Sequence, residues 1–272
     1  MPKPKLEYLH GFTKTEQDRL YRQARFLEPY VFGDIELKGA QNLLEIGCGV
    51  GAQTEILLER FPHLHITGID LSKAQLKRAR QHLSKALKDS RLELIEASAS
   101  KMPFESNSFD AAFSTWLLEH VQEPIKILSE ARRVLKAGGI IYLHEVLNAT
   151  LYLHPYSPAT LKYWFEFNDH QWNIKGDPFV GAKLGNYLQS AGFQNIETWT
   201  VPYHFDNRSS KKRSEFFEVW THLLLSGAPN LIKAKKVSNR LVDQMKAELN
   251  LLKETSDSVF FYTSIRARAQ AF

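Results

Sequence analysis

The chain has 272 residues, of which 43% are hydrophobic and 24% are charged, and its formal net charge is +5. This composition supplies enough apolar side chains for one large α/β core and excludes global disorder. No apolar run reaches about 18 residues, and no apolar stretch follows the basic start at Met1–Lys5. We therefore expect neither a transmembrane helix nor a secretory signal.

The cysteine count and the distribution of charge indicate where the protein is located and what kind of partner it binds. Cys48 is the only cysteine, so the chain cannot form an internal disulfide, and a reducing cytoplasm is the expected location. The positive net charge favours anionic partners. However, Lys and Arg are spread along the chain except at Lys211–Arg213 and Lys233–Lys236, which we interpret as solvated faces. Neither a nucleic acid nor a membrane is the expected partner.

Predicted strands and helices alternate through the first half of the chain, after a helical segment over residues 8–30 with an N-cap at Thr13. They are, in order, a strand at Asn42–Gly47, a helix at Ala52–Arg60, a strand at His65–Asp70, a helix at Ser72–Leu87, strands at Leu92–Ala97 and Phe109–Ser114, a helix at Pro124–Leu135, a turn at Lys136–Gly139 and a strand at Ile140–Glu145. This alternation predicts a parallel sheet covered by helices on both faces.

The pattern changes after Glu145. An aromatic-rich stretch at 148–175 is followed by a helix at Val180–Ser190, a strand at Gln194–Val201, a helical insertion at about 206–256 and a last strand at Val259–Ile265. The aromatic stretch has two interpretations, a substrate pocket or ordinary core and lid packing. We predict one domain with three parts, a helical lid at 1–35, a cofactor-binding core at 36–147 and a substrate-side region at 148–272.

A glycine-rich turn, Glu45–Gly51, separates the first predicted strand from the next helix. Gly47 and Gly49 remove the Cβ atoms that would keep a ligand from the backbone, and the helix start offers free N–H groups. Asp70 ends the second strand, where an acid can accept hydrogen bonds from both ribose hydroxyls at a spacing of roughly 20 residues. The segment therefore predicts a nucleoside cofactor site.

The turn also bears on which nucleoside cofactor binds. A dehydrogenase would have Gly-x-Gly-x-x-Gly, but Ala52 occupies the position of the third glycine. Glu45 would lie badly beside a pyrophosphate and suits a cofactor with a cationic amino group and no phosphate. A nicotinamide dehydrogenase is therefore disfavoured.

Over about residues 40–200 the chain resembles the class I S-adenosylmethionine-dependent methyltransferases. Five motifs carry the resemblance in order, Leu43–Gly51, Gly68–Ser72, Ala97–Phe104, Phe109–Ser114 with Leu117–His120, and Leu135–Gly139. The resemblance implies a Rossmann-like, seven-stranded, mostly parallel sheet with helices on both faces and helical lid additions at both ends. It also implies S-adenosyl-L-methionine as the cofactor. Ser98 stands where the family usually has an Asp that binds the adenine amino group, and a serine oxygen accepts that bond more weakly.

The turn and these motifs together give the expected cofactor-binding residues. They are Glu45, Gly47, Cys48, Gly49, Gln53, Asp70, Leu71, Gln75, Ser98, Ala99 and Trp116. Cys48 itself is interpreted as a small residue that fits the turn rather than a reactive thiol. No metal site is predicted, because the pair at His63–His65 lacks a nearby acid or cysteine as a third ligand.

Glu145, His120 and Tyr21 are the candidate acid–base or orienting residues. An alcohol or amine acceptor can need a base, whereas a carboxylate does not. Glu145 ends a strand at the edge where open α/β sheets bind ligands, and its neighbour His144 should point to the opposite face. His120 follows a strand at the cofactor edge, and Tyr21 lies on the lid helix. Capping or packing is the alternative role for both.

The leading interpretation is a cytoplasmic methyltransferase that transfers a methyl group to an O or N of a small molecule, carboxylates included, by in-line displacement. His10–Phe12, Arg19–Ala24 and Lys175–Gly181 resemble a subgroup of small-molecule methyltransferases, some of which methylate carboxylates and form dimers. The resemblance therefore implies a small-molecule substrate and a homodimer. The alternatives are an RNA or protein methyltransferase and a non-catalytic S-adenosylmethionine-binding module. A nucleic-acid base is a poor substrate, because Ser114–Leu117 replaces the family's Pro-Pro-Tyr motif.

Overall fold

A computed structural model of the chain describes residues 10, 11 and 13–272. The α-helices in this part are α1 (Lys14–Val31), α2 (Ala52–Arg60), α3 (Lys73–His82), α4 (Ser84–Lys88), α5 (Pro124–Val134), α6 (Pro158–Asn173), α7 (Leu184–Ser190), α8 (Ser210–Lys233) and α9 (Asn239–Glu254). The strands are β1 (Asn42–Ile46), β2 (His65–Asp70), β3 (Leu92–Glu96), β4 (Phe109–Thr115), β5 (Leu135–Val146), β6 (Tyr152–His154), β7 (Gln194–Phe205) and β8 (Val259–Gln270). The basic start, residues 8 and 9 of the first predicted helix, and Phe12 lie outside the described residues.

The strands form one mostly parallel sheet. Its order is β3–β2–β1–β4–β5–β8, and the pairs from β3 to β5 are parallel. Strand β8 runs antiparallel to its neighbours β5 and β7, and its first residues also pair with β6. The Rossmann-like class is confirmed, with eight strands where the resemblance implied seven. The additional strand, β6, has three residues, which is too short to give a period-2 signal.

Several predicted boundaries differ from the structure. The predicted helix at Ser72–Leu87 is two helices, α3 and α4, which meet at Leu83. The residues predicted as a turn at Lys136–Gly139 belong to β5, where Gly138 has a φ of +78°. Strand β7 continues four residues beyond the predicted end at Val201. The last strand is likewise longer, since β8 continues to Gln270.

Helices cover the two faces of the sheet, and each face has its own apolar core. The first core lies under α1, α2, α3, α6 and α8, and the second lies under α5 and α7. Helix α1 begins at the predicted N-cap, where Thr13 Oγ1 accepts a hydrogen bond from the Glu16 N–H at 3.2 Å. It carries Leu27 and Val31 into the first core. This helix therefore covers the face of the sheet that bears the candidate site.

The predicted helical insertion at 206–256 is the hairpin of α8 and α9. It packs against α6, and on the α8 side the contact is aromatic, with the Trp220 ring centroid 5.2 Å from that of Trp164. Trp164 also stacks on Phe167 of its own helix at 5.3 Å. These large rings bury much apolar area with little conformational freedom to lose. None of the helices in residues 13–272 has the length and apolar character needed to cross a membrane.

Candidate functional site: a cavity shared by a cofactor edge and an aromatic compartment

A cavity of about 770 Å³ opens at the carboxyl ends of β1, β2 and β4. Such an edge is where open α/β sheets bind ligands. Every predicted cofactor-binding residue lines this cavity, from Glu45 in the first motif to Trp116 after β4. The same cavity continues without a break to aromatic side chains of α6, α8 and β7. One cavity thus joins the glycine turn to an aromatic compartment.

The glycine turn leaves backbone open to this cavity. Gly49 has a φ of +53°, and a Cβ placed on it would meet nothing within 4 Å. The Gly49 N–H donates to Asp70 Oδ2 at 2.9 Å, and the Ser72 N–H donates to Asp70 Oδ1 at 2.7 Å. Burial raises the pKa of Asp70, and these backbone hydrogen bonds oppose that change. The turn and the acid that ends β2 are therefore held as one unit.

Glu45 is an acid almost sealed in the wall of the cavity, with 2% of its surface exposed. The Thr54 hydroxyl donates to its Oε2 at 2.5 Å. Burial raises the pKa of Glu45 to about 8, and the nearby charge of Asp70 acts in the same direction. A cationic group in the cavity would stabilise the ionised form and lower that pKa again. This acid therefore fits an ammonium group better than a phosphate.

Small and polar side chains form the wall beyond Asp70. The Ser98 hydroxyl lies 3.0 Å from that of Ser100, so it remains part of a polar edge despite replacing the family's Asp. Gln75 is buried and accepts a hydrogen bond from Gln17 of α1 at 2.9 Å. Gln53 is buried too, and its Oε1 has no hydrogen-bond partner among the described residues. Burial raises the pKa of the Cys48 thiol, which favours an inert thiol.

The three catalytic candidates lie in different places. His120 lines the cavity, and its Nε2 lies 3.6 Å from Glu119 Oε1. Tyr21 instead donates from its hydroxyl to the Val50 carbonyl, so it braces the glycine turn from α1. Burial raises the pKa of this hydroxyl to about 12.

Glu145 lies on the opposite face of the sheet from the cavity. It shares a face of β5 with Leu143, two residues earlier, which belongs to the core under α5 and α7. Its Oε1 accepts the N–H groups of Leu117 at 3.0 Å and Leu118 at 2.8 Å, and burial raises its pKa to about 8. Glu145 and His144 do point to opposite faces, as the alternation requires, but it is His144 that takes the cavity face.

None of the residues that β7 and β8 bring to the cavity was predicted from the sequence. Tyr203, Tyr262 and Ser264 line it, and His144 lies behind them within hydrogen-bond distance of Tyr203 and Ser264. The alternation of apolar and polar residues in each strand could have put these side chains on one face. No local pattern, however, shows which strands are neighbours in the sheet.

The fold and this cavity define a class, the α/β proteins that hold a nucleoside cofactor at the carboxyl edge of a parallel sheet. Residues 44–143 match the family described as a methyltransferase domain. The chain has the fold and the motifs of the class I S-adenosylmethionine-dependent methyltransferases, and this match confirms the resemblance seen in its sequence.

Two curated relatives and one solved structure illustrate the likeness. The chain is 34% identical over 125 residues to a sterol 24-C-methyltransferase of Gibberella zeae, which covers 46% of this chain and 33% of the relative. It is 30% identical over 138 residues to the 27-O-demethylrifamycin SV methyltransferase of Amycolatopsis mediterranei, and this alignment covers 51% of this chain and 50% of that relative. The structure of Haemonchus contortus phosphoethanolamine N-methyltransferase 2 with S-adenosylhomocysteine is 20% identical, with a TM-score of 0.56, and covers 92% of this chain and 52% of that one.

The chain thus spans at most half of the length of these curated relatives. The likeness to the solved structure extends over nearly the whole of this chain and is a likeness of fold. The substrate-side region therefore has to be interpreted from its own residues.

Proposed function

We propose that the protein is an S-adenosylmethionine-dependent methyltransferase acting on an O or N of a small molecule. The observation that carries the proposal is the single cavity that runs from the glycine turn and Asp70 into an aromatic compartment. A methyl donor and its acceptor must lie in one enclosed space for in-line transfer without competition from water. The covering helices α1, α6 and α8 supply that enclosure.

The cofactor edge fits S-adenosylmethionine on its chemistry. This cofactor supplies a methyl group already activated on a sulfonium. Asp70 would accept from the ribose hydroxyls, and Glu45 would face the cationic amino end. Leu71, Ser98 and Ala99 would border the adenine. Gly47, Cys48, Gly49, Gln53, Gln75 and Trp116 complete the proposed binding set, because all of them line the same cavity.

For the reaction itself, the residues have different proposed roles. His120 is the one sequence-derived candidate that lines the cavity, and it would orient the acceptor or take a proton from it. Tyr21 would act as a positioning residue through its bond to the Val50 carbonyl. Glu145 would position the segment after β4 through its bonds to two backbone N–H groups.

Calorimetry with S-adenosylhomocysteine and NAD tests the proposal. We expect S-adenosylhomocysteine to bind and NAD to give no heat. Asp70→Asn should weaken the binding of S-adenosylhomocysteine about tenfold, since two charge-assisted acceptors become one neutral amide oxygen. Asp110→Asn is the matched control, because Asp110 also accepts two backbone N–H groups, at 2.8 and 2.9 Å, outside the cavity. NAD binding, or equal effects of the two substitutions, would refute the proposed cofactor.

Two rival functions remain as outcomes of further tests. Strongly salt-dependent binding of RNA would favour an RNA methyltransferase. Cofactor binding without turnover on any small carboxylate, phenol or amine would favour a non-catalytic binding module.

The remaining expectations concern organisation, location and assembly. We propose a single domain from 1 to 272 and a cytoplasmic location, supported by the buried free thiol of Cys48. We also propose a homodimer through 206–256, where Leu251 of α9 is 65% exposed. Light scattering that gives a monomer mass would remove the dimer.

A further inference from the structure

The aromatic compartment of the cavity ends in a small polar floor. Its walls are aromatic rings from four elements and from the segment after β4, namely Trp116, Trp164, Phe167, Tyr203, Phe216, Trp220 and Tyr262. Among them, the Tyr203 hydroxyl and Ser264 place polar atoms where β7 and β8 meet. An apolar pocket with few polar groups gives a ligand both its affinity and its orientation. The polar floor should therefore decide which acceptor fits.

Three polar atoms make this floor. Tyr203 Oη lies 3.0 Å from Ser264 Oγ and 3.0 Å from His144 Nε2, and Ser264 Oγ lies 2.8 Å from His144 Nε2. All three residues are at most 2% exposed, and Tyr203 and Ser264 line the cavity while His144 lies behind them. We call Tyr203, Ser264 and His144 the floor triad. Because these three side chains are buried together, the proton on each of their polar atoms can be assigned to a donor and an acceptor.

One hydroxyl proton of the floor triad remains free to donate into the cavity. Burial and the charge of Arg266 lower the pKa of His144 to about 3, so the ring carries a single proton. Its Nδ1 is buried and has no hydrogen-bond partner among the described residues. A proton on Nδ1 would be an unpaired buried donor, so Nε2 carries it and donates to one hydroxyl. One of the two hydroxyls then donates to the other, and the last proton has no acceptor within the triad.

A buried cation behind the triad sets the sign of the local field. Arg266 stands opposite His144 in the β5–β8 ladder, so the two side chains share a face. Its side chain is 2% exposed, whereas that of its partner Asp34, at 3.0 Å, is 76% exposed. Water screens the exposed carboxylate far more than the buried guanidinium. The floor therefore has a positive bias as well as a free donor.

Other charged groups also line the cavity. Glu45 and Asp70 belong to the cofactor edge, and Glu123 lies 3.3 Å from Lys126, while Arg19 and Glu119 have partners of their own. The Arg19 guanidinium makes a two-pronged contact with Glu16 at 2.6 and 2.7 Å. The Glu119 carboxylate accepts a hydrogen bond from Gln171 at 2.7 Å and lies beside His120. Neither group is bonded to the floor triad, so the triad and Arg266 decide what is bound at that end.

We propose that the floor triad binds an anionic oxygen, a carboxylate or a phenolate, at one end of an otherwise apolar, ring-containing acceptor. This inference rests on the proposed function, because it names the class of molecule that shares the cavity with the methyl donor. The free hydroxyl proton donates to the oxygen, Arg266 stabilises its charge, and the surrounding rings cover the apolar body. A carboxylate, or a phenol that has already lost its proton to solvent, needs no base to become a nucleophile, which agrees with the low basicity of His144.

Four probes of one shape test the proposal in the full chain. They are 2-naphthoate, 2-naphthol, 2-naphthylmethylammonium and 2-methylnaphthalene, each titrated with and without saturating S-adenosylhomocysteine while tryptophan fluorescence is read. We expect 2-naphthoate or 2-naphthol to bind at least about tenfold more tightly than 2-methylnaphthalene, since a charge-assisted hydrogen bond separates them. 2-Naphthol is also titrated at about pH 10, near the pKa of a phenol, because only its ionised form is a phenolate. Which of the two oxygen probes then binds better distinguishes a carboxylate from a phenolate. Tighter binding of the ammonium probe would overturn the proposal in favour of a cation held by aromatic rings.

Substitutions in the floor triad separate the floor from the fold. The double variant Tyr203→Phe, Ser264→Ala removes both hydroxyl donors, so it should weaken the binding of the better oxygen probe about tenfold and leave that of 2-methylnaphthalene within twofold. Each single variant keeps one hydroxyl that accepts from His144 and still donates into the cavity, so it should lose less affinity. Tyr163→Phe is the matched control. Its hydroxyl is also buried and donates at 2.6 Å, to the Leu224 carbonyl, but it does not line the cavity, so neither affinity should change.

The possible results show separately whether the role of the floor triad, the acceptor class or the proposed function is wrong. Equal loss for the oxygen probe and the hydrocarbon in the double floor variant would overturn the role of the triad. If S-adenosylhomocysteine binds but no oxygen probe does, the acceptor class is wrong and the proposed function stands. If the oxygen probes bind but S-adenosylhomocysteine does not, the proposed function fails instead.

Discussion

Glu45→Gln is the substitution that most directly tests the electrostatics of the cofactor edge. The pKa of Glu45 is raised from 4.5 to about 8 by burial, so the folded chain holds a proton that the unfolded chain has already released. Because the native state binds more protons between these two values, its stability falls as pH rises from about 4.5 to about 8. Each pH unit in that window costs 1.36 kcal/mol at most, which gives about 3 kcal/mol between pH 4.5 and pH 7.

Urea unfolding followed by tryptophan fluorescence measures this cost. Glutamine is neutral at every pH and keeps an oxygen that can accept from Thr54. The free energy of unfolding of the variant, relative to the original chain, should therefore rise by about 3 kcal/mol from pH 4.5 to pH 7. Glu145→Gln is the parallel variant, because the pKa of Glu145 is also raised to about 8, at a site away from the cavity. If the difference in the free energy of unfolding between Glu45→Gln and the original chain stays constant with pH, Glu45 does not hold a proton in the folded chain at pH 7.

The same proton links Glu45 to the cofactor. If the cationic amino group faces Glu45, binding requires the ionised carboxylate, so the affinity for S-adenosylhomocysteine should rise with pH up to about 8. Glu45→Gln should bind more weakly at pH 8 and lose that pH dependence, whereas Glu145→Gln should retain it. Calorimetry in buffers of different ionisation enthalpy detects the released proton. Equal pH dependence in all three proteins would contradict the contact.

Two further predictions concern the scaffold that holds the site. In Gly51→Ala, the new Cβ would lie 2.7 Å from Leu83 Cδ1 at a φ of +81°, so we expect a loss of about 2 kcal/mol in urea unfolding. Gly138→Ala is the control, because Gly138 has a similar φ of +78° but a Cβ there would meet no atom within 4 Å. If its free energy of unfolding falls as much as that of Gly51→Ala, the contact with Leu83 contributes nothing to the loss. Arg213, which the sequence placed on a solvated face, is instead 3% exposed and donates at 2.8 to 3.2 Å to three carbonyls after α9. We expect Arg213→Met to cost about 3 kcal/mol, and a change below about 0.5 kcal/mol in thermal unfolding would refute this role.

The sequence by itself determined the cofactor edge. Strand, glycine turn, helix and the acid at Asp70 lie within about 30 consecutive residues, and a βαβ unit of that length has one common handedness. The apolar runs of β1 and β2 and the open backbone at Gly49 are local properties, so every predicted cofactor residue lines one cavity. The helical character of 206–256 could also be predicted, since it depends on composition and periodicity within the segment.

Tertiary structure alone decided which residues line the aromatic compartment of the cavity. The alternation along β5 showed that His144 and Glu145 point to opposite faces, but not which face the cavity occupies. That was decided when β8 inserted antiparallel between β5 and β7, which brought Tyr203 and Ser264 to His144 across 59 and 120 residues of chain. Contacts at such separations follow from strand order and register, which depend on the free energy of the whole sheet and not on any local pattern.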